Sequence, residues 1–186
     1  MKAGQSKEGV EFVRNMCPSQ GTLDVFVEPV LPRPELLICG GSPVAVALAD
    51  LGERLGFAIA VVAPAEDHIA FCEVDRIVAD FGLLPLAAVE RYIVVATQGR
   101  GDEAALVAAF AVPAAYVAFV GSHRKAAALR SSLQNKGIDG SRLVALRSPA
   151  GLSIGAVTPK EIALSILAEI TELRRRGQRT QPAEAS

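Results

Sequence analysis

Apolar runs of strand length alternate with helical patterns along most of the chain. Strands are expected at residues 36–39, 58–63, 76–79, 92–97, 116–120 and 143–146. Helices are expected at residues 43–55, 102–110, 122–136 and from 158 onward. The strands are apolar at nearly every position, which is typical of strands covered on both faces. The pattern therefore predicts an α/β, Rossmann-like, doubly wound and mainly parallel sheet with helices on both faces.

The same pattern predicts a lead-in, one domain and a tail. A short helix at residues 8–16 and a strand at residues 22–28 precede a proline-rich linker that ends at Pro34. The Rossmann-like domain is expected at residues 35–177, and the polar residues 178–186 are expected to be disordered. A single lead-in strand is not stable alone. We expect it to pair with its own domain, with a second copy in a homodimer, or with a separate N-terminal-domain protein.

Composition narrows the class of protein. The 186 residues are 51% hydrophobic and carry a net charge of −1, which gives no reason to expect nucleic acid or an anionic membrane as partner. No apolar run approaches the roughly 20 residues that span a bilayer. Cys17, Cys39 and Cys72 are odd in number and lack C-x-x-C spacing, which favours a reducing cytoplasm and argues against a structural metal site.

The turn after the first strand is a candidate ligand site, because ligands of open parallel sheets bind beyond the carboxyl ends of the strands. It contributes Gly40, Gly41 and Ser42, where a dinucleotide fingerprint has G-x-G. Ser42 is also a favourable helix cap. The second strand is followed by Ala-Pro at residues 63–64 instead of a ribose-binding acid. An NAD(P) or FAD site, as in an oxidoreductase, an altered anion site and a purely structural glycine turn all remain open.

The turn after the fourth strand is a second candidate. It contributes Thr97, Gln98, Gly99 and Arg100. Asp102 is expected to cap the helix that follows. Capping does not explain an arginine between two glycines, so Arg100 is either a ligand-binding group or a solvated side chain.

The turn after the fifth strand is the third candidate. It contributes Gly121, Ser122, Arg124 and Lys125, and Ser122 is expected to cap the next helix. Cations in a first helical turn oppose the helix dipole at roughly 0.3 to 1 kcal/mol each. A bound anion reverses that cost, so the turn favours a phosphate-like ligand over the alternative that its basic side chains are simply solvated.

No hydrolytic or redox motif accompanies these turns. The chain has two histidines and lacks H-E-x-x-H and G-x-S-x-G. We therefore predict no catalytic residue and favour a carrier or assembly factor over an enzyme. At the last helix, Thr158 and Glu161 are expected to form a capping box, and Gly177 is expected to close the helix.

Long motifs occur in a fixed order, namely DVFVEPVLPRPELLICGG, VVATQGRGDEAAL, YVAFVGSHRKAAAL and PAGLSIGAVTPKEIALSILAEI. In these motifs the chain resembles the XdhC/CoxI family of accessory proteins for xanthine and carbon monoxide dehydrogenases. The resemblance covers most of the chain and is strongest in the family's C-terminal Rossmann-like domain. The family usually has G-x-G where Gly40 to Ser42 stand, which is a departure in this chain.

The resemblance implies a maturation factor that binds molybdenum cofactor and assists its sulfuration and insertion. Its partners would be a target molybdenum hydroxylase and a cysteine desulfurase. The matching loop that contains Gly151 and Gly155 joins the three turns as a candidate site for a pterin or nucleotide phosphate. Cys17 stands where the family often has cysteine.

Overall fold

Five parallel strands form the centre of the domain. The computed structural model describes residues 32–81 and 90–179, with side chains up to residue 176. The strands are β1 (Glu35–Cys39), β2 (Ala58–Val62), β3 (Arg76–Val78), β4 (Arg91–Val95) and β5 (Tyr116–Phe119). Their order across the sheet is β3-β2-β1-β4-β5, and every pairing is parallel. The predicted Rossmann-like parallel sheet is confirmed.

In the described part of the chain, five α-helices and one short 3-10 helix connect and follow the strands. The α-helices are α1 (Pro43–Arg54), α2 (Asp102–Ala111), α3 (His123–Asn135), α4 (Gly140–Val144) and α5 (Pro159–Arg179). The 3-10 helix (Ala65–Ala70) follows β2. Among the described residues, no helix is both long enough and apolar enough to cross a membrane.

Helices cover both faces of the sheet, as the apolar strands predict. Leu36 and Ile38 of β1 pack with α1 and α5, whereas Leu37 and Cys39 pack with α2, α3 and α4. Alternate residues of each strand enter opposite cores because successive side chains of a strand point to opposite faces. Two apolar layers therefore fix the sheet and leave the strand ends free to build a site.

Helix α4 replaces the strand expected at residues 143–146. Asp139 caps this helix by accepting a hydrogen bond from the Ser141 amide at 2.7 Å. Leu143 is buried in the core while Val144 is 84% exposed, so the short apolar run is not a core strand. The chain joins the sheet only slightly later, through an isolated bridge between Arg147 and Ala118 of β5.

The capping box of α5 is confirmed. The Glu161 carboxylate accepts hydrogen bonds from the amides of Val157 at 2.9 Å and Thr158 at 2.8 Å. These bonds lower the pKa of Glu161. The expectation that Gly177 closes the helix is wrong, because α5 continues through this residue to Arg179. Residues 178 and 179, expected to be disordered with the tail, instead belong to α5. The expected helix at residues 8–16, the strand at 22–28 and the rest of the expected disordered tail, residues 180–186, lie outside the described residues, and the domain limits stay predictions.

Candidate functional site

Three of the predicted turns lie side by side at one edge of the sheet. Strand β4 is hydrogen-bonded to β1 on one side and to β5 on the other, and all three run in the same direction. Their carboxyl ends therefore meet at one edge, which is where open α/β sheets bind ligands. The strand order also reverses between β1 and β4, so the first two turns flank the topological switch point.

The first turn packs directly against the second. Gly40 has a φ of +119°, and a Cβ atom on it would lie 2.5 Å from the Ala96 carbonyl oxygen and 2.7 Å from the Thr97 Cα. Only glycine accepts both this backbone conformation and this contact. Ser42 Oγ accepts a hydrogen bond from the Ala45 amide at 3.2 Å, which confirms its capping role at α1.

The side chain of Asp67 covers the first turn. A Cβ atom on Gly41 would lie 2.2 Å from Asp67 Oδ2, so this carboxylate fills the space directly beside the glycine. Arg100 Nη2 of the second turn donates to Asp67 Oδ2 at 2.6 Å. The half-exposed Arg100 side chain is therefore paired with a carboxylate of the protein itself.

Sequence reasoning missed Asp67. It sought an acid immediately after β2 and found Ala63 and Pro64 instead. Asp67 lies further along, in the 3-10 helix, where its amide donates to the Pro64 carbonyl at 2.9 Å. The pattern that would have revealed it is an acid in the segment after β2 together with an arginine in the turn after β4.

The second turn is held by Asp102, whose expected role as helix cap is wrong. Asp102 is the first residue of α2, and the N-cap of this helix is Gly101, which makes no side-chain hydrogen bond. The Asp102 carboxylate instead accepts hydrogen bonds from Thr97 Oγ1 and, at 2.9 Å, from the Gly99 amide. It thereby fixes a turn in which Gln98 and Gly99 both have positive φ.

Lys125 of the third turn forms an ion pair with Asp102. Burial of Asp102 raises its pKa, but hydrogen bonds from Lys125, Thr97 and Gly99 outweigh burial and hold the pKa below the usual value. Lys125 Nζ also lies 5.7 Å from the centre of the Phe119 ring. The Asp102 carboxylate therefore offsets the unfavourable interaction between the Lys125 charge and the dipole of α3.

In the third turn, the charge of Arg124 is not paired by any described residue. Ser122 Oγ accepts a hydrogen bond from the Lys125 amide at 3.3 Å, which confirms the predicted cap of α3. Gly121 is required because a Cβ atom there would lie 2.4 Å from the Phe119 ring. Arg124 is exposed and has no hydrogen-bond or ion-pair partner within the described part of the chain.

The Gly151 loop is tied to α5. The Gly151 amide donates to Glu169 Oε2 at 3.0 Å, and the same oxygen accepts from the Tyr116 hydroxyl at 2.6 Å. A Cβ atom on Gly151 would lie 2.3 Å from Ser165 Oγ. Packing alone thus accounts for this glycine. Gly155 has a φ of +74° and open space around it, and a ligand role for either glycine stays a prediction.

Among the described residues, no group of three or more His, Cys, Asp or Glu side chains is placed to hold a metal ion. Cys39 is fully buried, which raises the pKa of its thiol to about 12. Cys72 is exposed, and Cys17 lies outside the described residues.

A cavity of about 800 Å³ lies beside the first turn, between α1, residues 70–73 and the start of α5. Pro43 is the lining residue nearest in sequence to the glycine turn. None of the predicted site residues lines the cavity, so it is a separate feature of the surface.

Comparisons with known proteins place the chain in a family. The chain is 30% identical to the protein YqeB of Escherichia coli K12, described as uncharacterized, over 91% of the chain and 32% of that protein. It is 28% identical to a Bacillus subtilis protein described as a probable xanthine dehydrogenase subunit, over 83% of the chain and 47% of that protein. The chain thus spans about a third to a half of these curated relatives.

A solved structure shares the fold. A crystal structure described as a xanthine dehydrogenase from Bacillus halodurans superposes with a TM-score of 0.63 at 26% identity, covering 83% of this chain and 45% of that one. The sequence profile of the XdhC Rossmann domain matches residues 36–170, which include all three turns and the Gly151 loop. This chain therefore belongs to the XdhC Rossmann-domain family.

Proposed function

We propose that the chain acts in an accessory factor for a xanthine dehydrogenase-type molybdenum hydroxylase, where it holds the phosphate of molybdenum cofactor. Family membership and the relatives named for xanthine dehydrogenase support the accessory role. The observation that carries the binding role is Arg124, an exposed cation at the N-terminus of α3, whereas Arg100 of the second turn and Lys125 of its own turn are paired with carboxylates.

The residues at this edge fit the phosphate of the cofactor. The first amides of a helix point outward and the dipole favours an anion there. Arg124 adds a planar guanidinium that matches phosphate oxygens. Asp102 holds Lys125 and the second turn in place, so the edge is fixed before a ligand arrives. The cofactor, when bound, supplies the molybdenum chemistry, whereas this chain binds and orients its anionic end.

The test is cofactor retention. The protein is purified from cells with and without an active molybdopterin pathway, and bound pterin is measured by fluorescence after oxidation. We expect pterin only in the first preparation, and we expect Arg124→Ala to lower it at least about tenfold, since a charged hydrogen bond contributes about 1.5–3 kcal/mol. Arg54→Ala is the control for removal of an arginine elsewhere, because Arg54 is exposed at the opposite end of α1, where it pairs with Asp50.

Two results contradict this role. One is equal pterin in cofactor-deficient and cofactor-proficient preparations. The other is equal retention by Arg124→Ala and Arg54→Ala. Partner roles for a molybdenum hydroxylase and a cysteine desulfurase, in cofactor sulfuration and insertion, form the finer part of the proposal. They are tested by identifying which proteins copurify with the chain, and recovery of neither class of enzyme argues against them.

A further inference from the structure

We propose that Asp67 is a resident anion that closes the first glycine turn to nucleotides. Its side chain lies against Gly41 of that turn and its carboxylate pairs with Arg100, so a phosphate that approached the turn from this side would have to displace it. This role goes beyond the proposed function, because it concerns the ligands that the edge rejects. It holds whether or not molybdopterin binds at Arg124.

The first support is steric. In dinucleotide-binding folds no side chain covers the backbone of the glycine turn, so the pyrophosphate can approach the start of the helix. Here the Cβ and Cγ atoms of Asp67 lie 2.4 Å, and Oδ2 lies 2.2 Å, from the place of a Gly41 Cβ atom. The aspartate therefore stands in the volume that a Gly41 side chain would need and covers the glycine turn on this side. Its side chain is only 18% exposed.

The second support is electrostatic. A carboxylate already faces Arg100 Nη2 at 2.6 Å, so the nearest cation of the second turn is satisfied. A phosphate that entered beside Gly41 would meet this negative charge at contact distance, where like charges repel strongly in a partly buried setting. A nucleotide phosphate would need to displace Asp67 and compete for Arg100 at the same time.

The third support is that the backbone around Asp67 is held locally. The Asp67 amide donates to the Pro64 carbonyl, and His68 Nε2 donates to the Ala63 carbonyl at 2.8 Å. These bonds fix the 3-10 helix after β2, and this segment reaches over the first turn. In dinucleotide-binding folds an acid after the second strand binds the ribose. In this chain the acid after β2 blocks the turn instead.

The test compares nucleotide binding by wild type, Asp67→Ala and Glu66→Ala, with ADP and NAD as probes in isothermal titration calorimetry. Glu66 is the matched control because it is the adjacent acid, is exposed and has no partner within residues 32–81 and 90–176. We expect Asp67→Ala to bind ADP at least about tenfold more tightly than wild type and Glu66→Ala. We expect inorganic pyrophosphate to compete with ADP.

Two further variants separate charge from volume. Asp67→Asn keeps the size of the side chain, so it should gain less affinity than Asp67→Ala, and it replaces that variant if the alanine form does not fold. Adding Arg100→Ala to Asp67→Ala should abolish the gain, because Arg100 would then be the phosphate-binding cation. Wild type that binds ADP or NAD as tightly as the folded Asp67 variants overturns the proposal, and so does the absence of any gain.

These outcomes are distinct from those of the pterin experiment. Failure of Arg124→Ala to change pterin retention removes the proposed function and leaves the role of Asp67 intact. An ADP affinity that does not depend on Asp67 removes the resident anion and leaves the Arg124 site intact.

Discussion

A methyl group on Gly40 tests how the first two turns are held together. Gly40→Ala places a Cβ atom 2.5 Å from the Ala96 carbonyl oxygen and 2.7 Å from the Ala96 carbonyl carbon and Thr97 Cα. All three atoms belong to the backbone, so no side chain can rotate to make room. The ends of β1 and β4 must separate, and the candidate edge must open with them.

The expected loss of stability has two parts. An L-residue in a left-handed conformation costs about 1–2 kcal/mol, and the φ of Gly40 is +119°. Inserting a methyl group into a closely packed site costs about 1–3 kcal/mol more. Gly56→Ala is the matched control, because Gly56 has a φ of +82° but nothing within 4 Å of the added Cβ. Gly56→Ala should therefore lose only the stability that the left-handed conformation costs, about 1–2 kcal/mol.

Urea denaturation followed by circular dichroism measures the free energy of unfolding of both variants. We expect Gly40→Ala to be less stable than Gly56→Ala by about 1–3 kcal/mol, the contact part alone. For a chain of this size, that difference lowers the melting temperature of Gly40→Ala by a further 2–12 °C, roughly. Equal losses in the two variants would refute the contact between the turns as the reason for this glycine.

Three further predictions concern the edge and its surroundings. Asp102→Asn should destabilise the protein at pH 7. Because the folded-state pKa of Asp102 lies below the unfolded value of 3.8, the difference in free energy of unfolding between wild type and variant should narrow as the pH falls below 3.8. Unfolding at several pH values measures this difference, and a constant difference contradicts the prediction. Ser42→Ala should lower the free energy of unfolding by about 1 kcal/mol through loss of the α1 cap, again measured in urea; an unchanged value contradicts it. In a Cys17→Ser, Cys72→Ser variant, the remaining Cys39 thiol should react with a thiol reagent only on unfolding, because burial raises its pKa to about 12; rapid labelling of the native protein would disprove this.

Local chemistry explains which features the sequence predicted correctly. Ser42, Ser122 and the Thr158 to Glu161 capping box act within one turn of chain, so residue type and spacing suffice to identify them. The failures occur where two local interpretations compete. The apolar run at residues 143–146 has the length of a strand. The chain nevertheless forms a helix there, because Asp139 caps it and only one of its faces is buried.

The alternation of strands and helices, the caps at Ser42, Ser122 and Thr158, and the three glycine-rich turns were determined by the sequence itself. The partners of the charged residues were decided only by the tertiary structure. Because β1 lies between β2 and β4, the segment after β2 and the turn after β4 meet above the turn after β1, which brings Asp67 to Arg100 across 33 residues. Because β5 lies next to β4, Lys125 reaches Asp102 in the same way. Ion pairs form between groups that are close in space, and closeness at this edge follows from strand order, which the spacing of residues along the chain does not encode.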